Sequence, residues 1–194
     1  MQKVSRLGFL LGVLMMIEQA SGLEVPTPEL AEINNFRQYT PVFASAGQPS
    51  REQLRSLWAE DFERIVYLAF STNPGAITDE DKLVKDLGMD YLHIPVDFTD
   101  PQADEFQVFA DYLQRAPNKK TLLHCQVNFR ATAFSFLYRV IYQGISVKQA
   151  KADMNTVWQP DTVWRDFIFA VLAAHKIDPV CEGCDWTPAS LKKG

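Results

Sequence analysis

The chain has 194 residues, 47% of them hydrophobic and 22% charged, with a formal net charge of −5 at pH 7. That composition belongs to a globular protein and excludes disordered, collagen-like and low-complexity classes. A chain of this length buries a sizeable core without metal or disulfide staples. The negative charge argues against general nucleic-acid binding, which leaves a basic footprint, but not against a small anionic substrate held by a few well-placed donors.

Residues 1–6 carry Lys3 and Arg6, residues 7–17 are an uncharged apolar run, and Ala20 and Gly22 supply small residues just beyond it. A basic start, a short apolar middle and a small-residue exit read as a secretory signal peptide over residues 1–22. Eleven apolar residues are too few for a permanent bilayer span, and no other segment is apolar enough for one. The alternative is a buried or amphipathic first helix. The expected protein is exported, secreted or periplasmic, with no membrane span left once the leader is removed.

Export changes the reading of the three cysteines. Cys181 and Cys184 form a C-E-G-C pair in a tail over residues 179–194. In an oxidising compartment such a pair reads as a short disulfide, because a zinc site needs about four ligands and the tail holds no histidine. Cys125 is then the odd thiol. No metal or other cofactor is called for.

Pro26, Pro28 and Pro41 mark an irregular entry, after which strand and helix patterns alternate. Residues 42–46 read as a strand. Ser50 and Gln53 form a capping box ahead of a helix with Leu54, Leu57 and Trp58 on one face. Residues 65–70 are an apolar run of strand length. Thr78 is expected to cap a helix whose acidic first turn, Asp79-Glu80-Asp81, complements the helix dipole, and Gly88 ends it. Residues 91–96 read as a strand, and Asp100-Pro101 as the start of a helix with Phe106, Phe109 and Leu113 inward. Residues 121–124 form a short buried strand. Residues 130–143 are helical, with Phe134, Leu137, Tyr138 and Ile141 on one face. Ser146 and Gln149 form a second capping box, and Asp161 caps a last helix carrying Trp164, Phe167, Ile168, Val171 and Leu172. Trp158 and Trp164 are read as core. The alternation predicts one α/β domain over residues 23–178: a three-layer fold whose central, mainly parallel sheet carries helices on both faces. Ligands in such folds bind beyond the carboxyl ends of the strands.

That rule points to the turn His124-Cys125-Gln126-Val127-Asn128-Phe129-Arg130. A cysteine leaves a buried strand, and an arginine opens the next helix. Amides between them can form a concave nest at a helix amino terminus, which favours a thiolate and binds a tetrahedral oxyanion. Arg130 can clamp two of its oxygens. A thiolate beneath a bound phosphate is placed to attack phosphorus. The competing reading is a structural Cys125 with Arg130 as a solvated helix residue.

This turn resembles the signature of the cysteine-dependent tyrosine and dual-specificity phosphatases: His-Cys, five residues, Arg, then Ser or Thr. Here His124-Cys125 and Arg130 match, but only four residues intervene, the loop glycine is absent, and Thr132 stands one place late. The stretch from Phe43 to Ser50, Gln53-Leu54 and residues 62–68 extend the likeness to a bacterial phosphatase-like subfamily related to the phosphatase-like part of the beta-lactamase-hydrolase-like proteins. The resemblance spans about residues 36–176.

It implies Cys125 as nucleophile, Arg130 and the loop residues Gln126, Val127, Asn128 and Phe129 as the phosphate cradle, and His124 and Thr132 as supporting groups. It also implies an aspartic acid that protonates the leaving oxygen. Asp97 matches that position best. Asp100 is an alternative that a helix-capping role would explain equally well, and Asp104 falls in a first helical turn. Only the resemblance brings Gln48 toward the site. The four-residue spacing is also that of rhodanese-type sulfurtransferases. Three functions therefore stand: an exported phosphatase acting through phosphocysteine, a sulfur-transfer or thiol-redox protein, and a silent anion-binding homologue. The expected partner is a phosphate-bearing substrate or other oxyanion. Neither the substrate nor the oligomeric state is legible.

Overall fold

Residues 26–188 are described by the computed structural model of the chain; the leader assigned to residues 1–22 lies outside them. Five short strands form one sheet: β1 (Arg37–Thr40), β2 (Phe43–Ala46), β3 (Arg64–Tyr67), β4 (Asp90–His93) and β5 (Thr121–His124), in the order β1-β2-β5-β3-β4. β2, β5, β3 and β4 run parallel, and β1 pairs antiparallel with β2 at the edge. The central strand β5 is buried throughout, which explains the uninterrupted Leu122-Leu123. Register aligns Ala46, His124, Tyr67 and His93 in one row across the sheet's carboxyl end.

The two faces are covered differently. α1 (Pro28–Ala31), α2 (Arg51–Ala59) and α3 (Glu80–Asp86) enclose a smaller core of Leu30, Leu54, Leu57 and Val84 against Ala44, Ile65 and Leu122. α4 (Ala103–Gln114), α5 (Phe129–Tyr142), α6 (Val147–Asn155) and α7 (Thr162–Ala174) cover the other face. There Phe134 meets Phe106 edge-on at 5.5 Å and Phe167 at 5.9 Å, and Phe43 meets Tyr138 at 5.7 Å. Phe106, Phe134, Tyr138 and Phe167 are large side chains expected on the inner helix faces, and Phe43 meets them from β2, so the three-layer α/β expectation holds.

Capping signals decide several boundaries. Ser50 and Gln53 form the predicted reciprocal box, Ser146 Oγ accepts from the Gln149 amide, and Asp161 Oδ1 accepts from the Trp164 amide. Elsewhere the structure corrects the sequence reading. The entry is not wholly irregular, since it contains α1 and β1. Arg37-Gln38-Tyr39-Thr40 has no apolar alternation because an edge strand of intermediate exposure does not need one. α3 starts one residue later than expected, with Asp79 as its N-cap in place of Thr78. α4 starts at Ala103 after Gln102, whose amide donates to Glu105 Oε2. Asp100 therefore caps nothing, and its carbonyl merely accepts from the Gln102 side chain.

Over residues 179–188 the tail lacks regular structure yet packs on the domain. Trp186 sits edge-on to Phe136 at 5.7 Å and Phe169 at 5.1 Å, with the Lys151 ammonium 4.7 Å from its ring. Gln159 Nε2 donates to the carbonyls of Asp185 and Thr187. Cys181 and Cys184 are joined as a disulfide, their Cα atoms 5.2 Å apart. Among the described residues, no helix is long and apolar enough to cross a membrane, and no cluster of side chains with metal-ligand character occurs.

Candidate active site at the carboxyl end of strand β5

Cys125 is the first residue beyond β5, fully buried, with its amide donating to the Ala46 carbonyl at 3.3 Å. The chain then turns into α5 through Asn128, which adopts a left-handed conformation with φ of 72°. A glycine would usually occupy such a position, and asparagine is the residue that tolerates it best otherwise. The glycine missing from the sequence pattern is thus replaced by a residue with compatible backbone preferences.

The turn is held from outside. Gln126 O accepts from the Gln48 amide at 3.1 Å, and Val127 O accepts from Asn35 Nδ2 at 3.1 Å. Asn128 Nδ2 returns the bond to the Asn35 carbonyl at 2.6 Å. Asn35 is itself left-handed, φ 52°, so two left-handed asparagines tie the turns together, Asn128 binding the Asn35 carbonyl and Asn35 the carbonyl of Val127. Carbonyls are therefore claimed by neighbouring loops. Outside the Gly47–Val127 bridge, the amides of residues 126–130 donate no backbone hydrogen bond among the described residues. That is the polarity an anion nest requires. None of the Asn35 contacts was foreseeable, because the segment carrying it had no periodicity to read.

Gly47 completes the support by bridging Val127. A Cβ there would stand 3.0 Å from Asn34 Cβ and from the Gln126 carbonyl oxygen. Gly47→Ala is expected to destabilise the protein by about 1–3 kcal/mol, measured by denaturant unfolding, and to lower oxyanion affinity as the loop shifts.

Arg130 is only 7% exposed, which removes the reading of a solvated helix residue. Its Nε donates to the Val96 carbonyl at 3.0 Å, and its guanidinium lies 5.2 Å from the Phe98 ring centroid. It thereby fixes the segment on either side of Asp97. Trp164 Nε1 secures the same segment from α7, donating to the Phe98 carbonyl at 2.9 Å. Asp97 is exposed, and its Oδ1 accepts from the amide and hydroxyl of Thr99 at 2.8 and 2.9 Å. Those two bonds, with the charge of Arg130, hold its carboxyl below the usual range. Phe129 stacks face-to-face on Trp158 at 4.6 Å. Trp158 is half-buried and packs on Trp164 at the edge of the core, so it joins the core to the loop.

Thr132 is buried but turns toward Tyr39, whose hydroxyl lies 3.2 Å from Thr132 Oγ1 and 2.8 Å from Ser45 Oγ. His124 is buried, with Nε2 2.7 Å from Glu80 Oε1. Glu80 Oε2 accepts from Gln48 Nε2 at 2.7 Å. Burial alone would raise the Glu80 carboxyl. The charge of His124 and the hydrogen bonds from His124 and Gln48 outweigh it, and the net direction is down. Glu80 is the first-turn acid that the sequence shows, and the structure leaves it only 2% exposed. Tyr67 stacks between His124 (4.7 Å) and His93 (5.0 Å). Its phenol is pushed up to about 12 by burial and by the charges of Glu80 and Cys125, against an opposing effect of Arg130.

Known proteins place this arrangement. Residues 28–166 match the family described as DSP-PTPase phosphatase fused to NAD+ kinase. A candidate phosphatase of the DUF442 group from Shewanella putrefaciens CN-32 is 30% identical. It superposes with a TM-score of 0.69 over 76% of this chain and 97% of its own. Tk-PTP in its active form superposes with a TM-score of 0.61 at 17% identity, over 71% of this chain and 95% of its own. TpbA of P. aeruginosa gives 0.54 at 17% identity, over 80% and 98%. The last two show the fold alone. A comparison with curated proteins finds no match. The model match and the Shewanella relative together establish that this chain belongs to the DSP-PTPase phosphatase family, the one described as fused to NAD+ kinase.

Proposed function

We propose that the protein is an exported phosphatase that hydrolyses phosphomonoesters through a phosphocysteine on Cys125. One observation carries the reading: the Gln126 and Val127 carbonyls are tied to the neighbouring Gln48 and Asn35, while the turn that presents the Cys125 thiol runs into a helix amino terminus bearing the buried Arg130 guanidinium. An incoming phosphate accepts from those amides and from Arg130. The Cys125 thiolate attacks phosphorus and forms the S–P bond as the ester P–O bond breaks. Asp97 gives its proton to the leaving oxygen. The resulting Asp97 carboxylate then takes a proton from water as that water attacks phosphorus, releasing phosphate and the thiolate.

Thr99 holds Asp97 ionised, which is the wrong state for the first step. The bound phosphate dianion supplies the opposing charge that favours a protonated Asp97. Asp97→Asn is therefore expected to lower turnover by about 10²-fold for alkyl phosphates, whose leaving groups need the proton, and far less for p-nitrophenyl phosphate. Steady-state rates across a leaving-group series check this. An equal loss on every substrate would mean that Asp97 does not protonate the leaving group.

Export rests on the residue order of positions 1–22 and on the Cys181–Cys184 pair, which suits an oxidising compartment. Mass spectrometry of protein from its native host should find residue 23 at the amino terminus. An intact Met1 would contradict export.

A further inference from the structure

Glu80 is a buried acid that the steps above do not use. It opens α3, a helix on the smaller face of the sheet, yet only 2% of it is exposed. An ionised carboxylate is buried at a cost that only paired and hydrogen-bonded partners offset. Its two partners belong to the segments that shape the catalytic turn. Gln48 Nε2 donates to Oε2, and the Gln48 backbone amide binds Gln126 O. The His124 ring meets Oε1 at 2.7 Å, and His124 immediately precedes Cys125. One carboxylate thus joins the loop after β2, the start of α3 and the end of β5. The imidazole is fixed in its plane by Glu80 and across its face by Tyr67, which His93 backs in turn. Charged or titratable groups facing the pair are Tyr67, Tyr91, His93, Cys125 and Arg130.

The chemical type matters. A carboxylate accepts on both oxygens, whereas an amide of the same shape offers one acceptor and one donor group. Gln48 Oε1 and His124 Nδ1 are buried without a hydrogen-bond partner among the described residues. At 2.7 Å, the bond to Glu80 is the shortest that either side chain makes: Gln48 Nε2 adds only a 3.4 Å bond to the Pro49 carbonyl, and the His124 ring adds its stack on Tyr67.

We propose that Glu80 is a positioning residue for the reaction of Cys125: with Gln48 it locks the His124 ring, and through it the end of β5 from which the thiolate attacks. The proposal rests on the phosphocysteine reading. Attack on phosphorus depends steeply on alignment, and a displacement of about 1 Å can cost about 10²-fold in rate. Substrate binding draws mainly on the loop amides and Arg130, which Glu80 does not touch.

Glu80→Gln in the full chain tests it, using p-nitrophenyl phosphate turnover and the proton spectrum. The expected result is a fall in kcat of about tenfold or more with KM within about twofold, the mark of an interaction felt in the transition state. In the wild type, the His124 Nε2 proton should give an exchange-protected signal far downfield, which Glu80→Gln removes or moves. Gln48→Leu, which leaves the carboxylate and His124 in place, should give an intermediate loss of kcat. It keeps the test open should Glu80→Gln fail to fold. Unchanged kcat in a folded Glu80→Gln protein, a rise in KM alone, or no downfield signal in the wild type would overturn the proposal. Wild-type turnover that survives Cys125→Ser would overturn the phosphocysteine reading instead, so the two failures are distinguishable.

Discussion

Cys125→Ser is expected to reduce aryl-phosphate hydrolysis by about 10⁴-fold or more while tungstate still binds. Removing a covalent nucleophile removes the reaction path itself, and effects of this size are typical when one member of such a unit is lost. Binding survives because the cradle does not depend on the thiol. Its amides are oriented by Gln48, Asn35 and the left-handed Asn128, none of which contacts the Cys125 side chain in a hydrogen bond. The change from sulfur to oxygen is also small enough for the fully buried position to keep its packing. Rapid-mixing turnover and tungstate calorimetry read the two halves separately. Loss of both together would mean that the substitution had collapsed the turn.

Arg130→Ala is expected to weaken both halves, lowering turnover by about 10³-fold and oxyanion affinity in parallel. A guanidinium on the phosphate acts in the ground state and more strongly in the transition state. A second loss adds to this. Arg130 Nε holds the Val96 carbonyl, and the guanidinium lies against Phe98, so its removal frees the segment that carries Asp97. Arg130→Lys should rescue little. A lysine supplies charge without the planar fork and cannot both bind Val96 O and offer two parallel donors. Recovery of most activity by lysine would reduce Arg130 to a point charge.

How far the sequence disclosed these roles follows from how local each signal is. The strand-to-helix turn at Cys125 was legible because the buried run before it and the helical periodicity after it both lie within a few residues. The aromatic core was legible for the same reason: Phe106, Phe109, Phe134, Trp164 and Phe167 repeat at helical spacing, and all are buried. β1 was missed because an edge strand carries no alternation. Glu80 was read correctly as a first-turn acid, but its buried role went unseen because the helix dipole gives such an acid a sufficient local explanation. Its partners Gln48 and His124 lie 32 and 44 residues away, and no local pattern marks such a contact. Asn35 and Asn128, 93 residues apart, were hidden in the same way. The short spacing between Cys125 and Arg130 stood out as a departure from the larger phosphatase pattern. The structure nevertheless closes the loop with an asparagine in the glycine conformation and ties its carbonyls at Gln126 and Val127 to neighbouring segments. Trp158 was assigned to the core from its spacing, and it packs against that core beside Trp164, but its stack on Phe129 at the loop was not legible.

The central claim is that the Cys125–Arg130 turn takes up a phosphoryl group covalently. Its most direct test is to quench the reaction with an aryl phosphate in acid within the first turnover and locate the label by peptide mass spectrometry. The account predicts a phosphoryl adduct on Cys125, absent from Cys125→Ser and from protein quenched without substrate. Phosphate release without any adduct on Cys125, or a persulfide found there in a protein that does not turn over phosphate esters, would contradict it.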